Sequence, residues 1–163
     1  MKVIGIDPGY AIVGVGVVEY VNGRFTVLDY GAVLTEAGDS FDHRLEVVYD
    51  GVLEQAKLYK PDAMAVEKLF FNTNSTTAIG VAEARGCIRL AATHAAVPVF
   101  EYTPLQVKQA VTGYGGAVKS QVMEMTRMLL NLDKVPRPDD VADALAIAIC
   151  HAHSAASLLG NLR

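Results

Sequence analysis

Four carboxylates in this 163-residue chain are placed so that they could share one ion site. Asp7 closes the apolar run Val3-Ile4-Gly5-Ile6, and Glu67 closes a second such run, Ala63-Met64-Ala65-Val66. Asp140 and Asp143 lie three apart at the start of an apolar helical segment, which puts them on one helix face with Cβ atoms roughly 5–6 Å apart. A buried carboxylate costs several kcal/mol unless something positive meets it, and four converging anions repel one another. Divalent cations that prefer oxygen ligands remove that repulsion; Mg²⁺ is the expected ion, with Mn²⁺ as a substitute. Two such ions about 3.5–4 Å apart activate a water, hold a scissile phosphate and stabilise the leaving oxygen. The chemistry is phosphodiester hydrolysis. Each acid taken alone has a blander role: Asp7 could cap a turn before Pro8, Glu67 could be a surface residue, and Asp140 or Asp143 could simply suit the helix dipole. It is the set that points to a metal site. Asp139 stands apart, because its place after Pro138 makes it the natural N-cap of the last helix.

The elements that must position these acids follow from periodicity. Val3 to Asp7, near the N-terminus and closed by Pro8-Gly9, reads as a strand buried on both faces. Ile12 to Val18 reads as a second strand, with Gly14 and Gly16 where another backbone or a ligand comes close. The Asn22-Gly23 turn leads to a third strand, Phe25 to Leu34, completing an antiparallel meander. A helix carrying Leu45, Val48, Tyr49, Val52, Leu53 and Ala56 stops at Lys60-Pro61, and the strand ending in Glu67 follows. Beyond a polar loop, Lys68 to Ser75, an Ala- and Gly-rich helix runs from about 76 to 94. Val97 to Tyr102 makes a fifth strand, with Pro98 marking it as an edge. Thr103-Pro104-Leu105-Gln106 combines an N-cap, Pro at the first helical position and a capping-box Gln. After the loop Gly113 to Gly116, a helix presents Val118, Val122, Met125, Leu129 and Leu132 as one stripe, with its methionines as core filler. The last helix, about 139–156, is apolar nearly all round and belongs inside the domain. This order predicts an α/β domain with a mixed sheet and right-handed crossovers after the meander.

Composition bounds the partners. The length suits one domain, 1–163, able to bury roughly 70% of its unfolded surface. The net charge of −4 argues against a nucleic-acid partner, but setting aside the four carboxylates leaves 14 acidic residues against 14 basic ones, so local basic patches remain available. Met1-Lys2 runs straight into the first strand with no leader pattern, and no apolar span of about twenty residues could cross a bilayer. The expected location is the cytoplasm. Cys87 and Cys150, each in a helical Ala-rich context, read as buried free thiols.

Beyond the acids, the chain resembles the RuvC family of Holliday-junction endonucleases. The resemblance rests on Gly5-Ile6-Asp7-Pro8-Gly9, Val66-Glu67 with Phe70, Ala84-Arg85-Gly86, Val99-Phe100-Glu101-Tyr102, Gln106-Val107-Lys108-Gln109, Lys119-Ser120-Gln121-Val122 and Ala142-Asp143-Ala144-Leu145-Ala146-Ile147-Ala148. It implies an RNase H-like (retroviral integrase superfamily) fold, a five-stranded mixed sheet with helices on both faces. The family's metal-binding acids match Asp7, Glu67, Asp140 and Asp143, each site taking two Mg²⁺. The resemblance also implies a homodimer that nicks two strands of a four-way DNA junction symmetrically, leaving 5′-phosphate and 3′-hydroxyl ends in recombination and repair, alongside the RuvA and RuvB branch-migration proteins. Phe70 matches an aromatic that inserts against a base, where stacking contributes roughly 1–3 kcal/mol. Lys108 and Lys119 match lysines near the active site that could hold the scissile phosphate. Asn72 and Asn74, with Thr73 and Ser75, could donate to DNA phosphates, and Phe71 could share the task of Phe70.

Other residues point less directly. Arg85 and Arg89 lie four apart and suit either DNA or a dimer contact, and the Ala/Gly-rich helix around Gly80 suits the dimer surface. His151 and His153 are two apart on a helix, so they face different directions and do not make a metal pair. A rival reading, an actin-like nucleotide-binding lobe, would need a second Asp-x-Gly turn after the fifth strand, which this chain lacks. A catalytically silent DNA-binding scaffold and an RNA-processing relative are the remaining alternatives.

Overall fold

The computed structural model describes residues 1–68 and 75–160. Its elements are β1 (Lys2–Asp7), β2 (Ile12–Val21), β3 (Arg24–Leu34), α1 (Phe41–Tyr59), β4 (Ala63–Glu67), α2 (Ser75–His94), β5 (Val99–Tyr102), α3 (Pro104–Thr112), α4 (Lys119–Leu129) and α5 (Asp139–Gly160). The strands form one sheet in the order β3-β2-β1-β4-β5. The expected meander is present, since β1 pairs antiparallel with β2 and β2 with β3, whereas β1–β4 and β4–β5 are parallel. β5 lies at the edge and starts two residues later than its apolar run, at Val99. The Pro98 carbonyl still accepts from the Met64 N–H at 2.9 Å, and the N–H that proline lacks is not required there.

Strand alternation splits the core into two layers. Ile4, Ile6, Val13, Val15, Val17, Met64 and Val66 pack under α1 and α2. Val3, Val18 and Ala65 face the other side, with Val107, Val111, Val122, Leu145 and Ile149 from α3, α4 and α5. Helices therefore cover both faces of the sheet, as expected. Asp7 has the parity of Val3 and Glu67 that of Ala65, so both acids leave the sheet on the α5 side.

What lets α5 reach them is a patch of the sheet without side chains. Gly5 pairs with Gly16, and Gly14 pairs with Asp7, so the three glycines lie together across β1 and β2. A Cβ on Gly5 would fall 2.0 Å from the Ala144 carbonyl oxygen, and one on Gly14 would fall 1.9 Å from the Asp140 carbonyl oxygen. At Gly16 it would meet the Leu145 side chain at 2.6 Å. The helix backbone thus lies directly on the strands, with Ala144 and Ala148 supplying little bulk of their own. The two glycines of β2 anticipated as points of close approach serve α5.

The stripe anticipated on α4 is rotated. Val118 precedes the helix and is 59% exposed, while Val122, Met123 and Thr126 are the buried positions. The methionines divide accordingly: Met64 and Met123 are core, but Met128 is exposed. α5 is buried along Val141–Ala152 apart from Asp143, as its apolar sequence required. No helix among the described residues is long and apolar enough to cross a membrane.

Gly14→Ala should cost about 2–3 kcal/mol, because the clashing atom is helix backbone that can give way only by moving α5. Gly31→Ala, whose added Cβ meets nothing within 4 Å, should be near neutral. Chemical denaturation of the two variants measures the contrast.

Candidate active site

The glycine patch explains how acids from distant parts of the chain become neighbours. Asp140 lies with its carbonyl over Gly14, the register partner of Asp7, so the first turn of α5 sits at the C-terminal end of β1. Asp143 is one helical turn on. Glu67 ends β4, the parallel neighbour of β1. The electrostatics register the convergence. Burial first, and then the charges of Glu67, Asp143 and Asp140, push the Asp7 carboxyl up to about 8, against a small opposing effect of Lys119. Glu67 is raised as well, by burial and then by Asp143, while a hydrogen bond with Asp7 opposes the rise.

Asp139 is not part of this group. It does not figure among the charges acting on Asp7, and it is the first residue of α5 rather than the expected N-cap. Its carboxylate turns outward to Arg137 and to the Lys119 ammonium, 3.6 Å away. Of the adjacent pair, Asp140 is the one beside Asp7.

Lys119, the first residue of α4, supplies the positive charge at the rim. Its Nζ lies 2.9 Å from Asp143 Oδ2, and that hydrogen bond is the main reason its pKa is raised. The start of α4 is fixed by Gln121, whose Oε1 accepts from the Val118 N–H at 3.0 Å. Lys108 arrives from α3, which is anchored by the anticipated capping box: Thr103 Oγ1 accepts from Gln106 N–H at 3.1 Å and Gln106 Oε1 from Thr103 N–H at 2.8 Å. Glu67, Lys108, Lys119 and Asp143 line one cavity of about 280 Å³, whose floor and wall are Pro104, Val107, Val122 and Ile147. In the sequence these four residues read only as helix start, core stripe or family motif, because nothing in their spacing separates a cleft wall from ordinary core.

The donor set fits hard divalent cations: carboxylate oxygens only, with the Asp7 anion strongly disfavoured by burial and by the charges of its neighbours. Among the described residues no three His, Cys, Asp or Glu side chains are gathered into a ready ion cage.

The two arginines and two histidines named above have structural partners. Arg85 and Arg89 of α2 both pair with Glu101 of β5. His151 Nδ1 meets the Tyr102 hydroxyl at 2.8 Å, whereas His153 Nδ1 donates to the Ala110 carbonyl at 3.1 Å, so the two rings do point apart. Cys150 is buried and free, and Cys87 is free but only partly buried. Phe70, Phe71, Asn72, Thr73 and Asn74 lie outside the described residues.

Comparison with known proteins gives a consistent picture. The family model described as crossover junction endodeoxyribonuclease RuvC matches residues 3–151. A protein of that description from Clostridioides difficile (strain 630) is 58% identical over 154 residues, spanning 94% of this chain and 91% of its own. Among solved structures, Thermus thermophilus RuvC superposes with a TM-score of 0.89 at 41% identity, over 96% of each chain. T. thermophilus RuvC in complex with Holliday junction substrate gives a TM-score of 0.89 at 38% identity, again over 96% of each chain.

The raised Asp7 pKa carries a sign. Between the unfolded value of 3.8 and about 8 the folded protein holds a proton that the unfolded chain has released, so stability is full below that window and falls as pH rises through it. In metal-free buffer, Asp7→Asn should remove this acid's share of the loss and be the more stable protein at pH 8, by roughly 2 kcal/mol after allowance for screening. Denaturant titrations of both proteins at pH 5 and pH 8 check it.

Proposed function

The chain belongs to the RuvC family of crossover junction endodeoxyribonucleases, and from that premise we propose that Asp7, Glu67, Asp140 and Asp143 are its metal-binding catalytic acids. Its activity is hydrolytic resolution of four-way (Holliday) DNA junctions, on an RNase H-like α/β fold. The observation that carries the site assignment is the mutual electrostatic coupling of acids from β1, β4 and α5 in one half-buried cleft.

The acids would hold two Mg²⁺, with Mn²⁺ as substitute, and the bound ions supply a nucleophilic water and charge neutralisation at the phosphate. The rest is the work of this chain's own residues. Asp7, the most buried of the four acids and the one whose anion is most disfavoured by its neighbours, would be the carboxylate that gains most from a bound cation. The apolar wall of Pro104, Val107, Val122 and Ile147 excludes bulk water from one side of the cleft and strengthens every charge interaction within it. Lys119 presents an ammonium at the rim, where a scissile phosphate must pass to reach Glu67 and Asp143, and acts as a catalytic residue by binding the phosphate oxygens. Lys108 adds a second positive contact from α3. Phe70, Asn72 and Asn74 are assigned as DNA contacts on the family resemblance alone.

The working unit is one nuclease domain over 1–163, paired as a homodimer so that two active sites meet a two-fold symmetric substrate and each leaves 5′-phosphate and 3′-hydroxyl ends. The dimer face is the side of α2 that carries Ile79, Gly86 and Leu90, spaced for one helix face, with Ile79 66% and Leu90 49% exposed. The enzyme works in the cytoplasm with the RuvA and RuvB proteins.

Purified protein with Mg²⁺ should make paired nicks in a synthetic four-way junction and none in a matched duplex or an RNA/DNA hybrid, and chelator should abolish them. Asp7→Asn should keep junction binding in a gel-shift assay while cutting falls by about a thousandfold or more; loss of binding, or unchanged cutting, would refute the assignment. Leu90→Glu should shift the sedimentation of the protein from dimer to monomer.

A further inference from the structure

Asp139 has been displaced from the helix-capping role its sequence position suggests, and the structure shows what it does instead. Its two carboxylate oxygens are divided between two cations: Oδ1 pairs with Arg137 and Oδ2 with Lys119 at 3.6 Å. On its other side Lys119 reaches Asp143 Oδ2 at 2.9 Å. The ammonium is therefore suspended between an acid of the metal site and an acid outside it. All three outer partners are accessible, Lys119 with 55%, Asp139 with 39% and Arg137 with 74% of the side chain exposed.

A lysine is a point charge on a flexible four-carbon stem with three donors. With Asp143 as its only acceptor, nothing would oppose the 2.9 Å hydrogen bond that sets its charge against an acid the metal site needs. A second acceptor on the solvent side draws the ammonium outward and limits its swing to the line between Asp143 and Asp139, across the mouth of the cleft lined by Glu67, Lys108 and Lys119. Arg137 keeps Asp139 from becoming too strong a competitor, since one of its oxygens is already occupied. The same pairing turns the Asp139 carboxylate outward, away from the four acids inside.

We propose that Asp139 is a positioning residue of the reaction, holding Lys119 at the rim of the active site with Arg137 as its counter-charge, and that it is not a metal ligand. The proposal rests on the reading of Lys119 as the phosphate-binding cation. It separates this acid from its neighbour Asp140 by mechanism: Asp140 acts inside the cleft, Asp139 only through Lys119.

The test is a double-mutant cycle on single-turnover cleavage of a bound four-way junction, using Asp139→Asn, Lys119→Met and the pair, with junction affinity measured in parallel. Asp139→Asn should slow the cleavage step about three- to fivefold, the size typical of an exposed ion pair, without weakening junction binding. In the Lys119→Met background the same substitution should have no further effect, and Asp139→Glu should restore part of the rate. Equal slowing by Asp139→Asn with and without Lys119 would overturn the proposal, as would no slowing in the parent protein. If Lys119→Met itself leaves the rate unchanged, the phosphate-binding role of Lys119 fails first and the proposal falls with it; a slow Lys119→Met with a fast Asp139→Asn overturns the positioning role alone.

Discussion

The arrangement of this protein depends on one close approach: the backbone of α5 lying on a sheet surface stripped of side chains at Gly5, Gly14 and Gly16. Helices normally pack on sheets through a layer of side chains, and that spacing would leave Asp140 well above Asp7. Removing the layer lets the first turns of α5 stand against the end of β1. The apolar surroundings of α5 follow from the same fact, because a helix pressed against a sheet on one side and flanked by α3 and α4 has little face left for water.

This approach sets up an electrostatic conflict that the fold does not resolve by itself. Hydrophobic burial secures the strands ending in Asp7 and Glu67, and in doing so brings those acids out of water and toward Asp140 and Asp143. The packing energy of two core layers holds the acids where their own repulsion would not. Asp7 records the conflict most strongly, with its carboxyl raised to about 8. A site in this condition favours any ligand that brings positive charge, and Lys119 answers only part of that demand, from the rim and attached to a single inner acid. Stability and the proposed function are in opposition here, as is common where catalytic groups are buried.

Much of this was legible in the chain itself. The meander, the helix starts at Thr103 and the burial of α5 are local matters of turn chemistry and periodicity, and the structure contains them. The four acids could be singled out because two ended core strands and two shared a helix face. The glycines of β2 were recognisable as points of contact, though not as contacts with α5. Errors arose where a local preference met a tertiary competitor. Asp139 has the residue type and position of an N-cap, yet two nearby cations claimed its carboxylate. Val118 had the spacing of a core position on α4 but lies before the first turn, so its side chain stays in solvent. Met128 is apolar and exposed for the same reason that many such residues are: apolar type alone does not say which face turns inward.

The amino-acid order by itself determined which groups could do chemistry and on what kind of element each would sit, since strand and helix periods are set by neighbours a few residues apart. It could not determine that Asp140 rather than Asp139 stands beside Asp7, that Lys119 is shared between Asp139 and Asp143, or that four apolar residues from three helices wall the cleft. Those outcomes depend on the height of α5 above the sheet and on the directions of side chains that converge from distant positions. Only the packed core fixes such quantities, because a shift of one or two ångströms in the helix changes which carboxylate meets which charge.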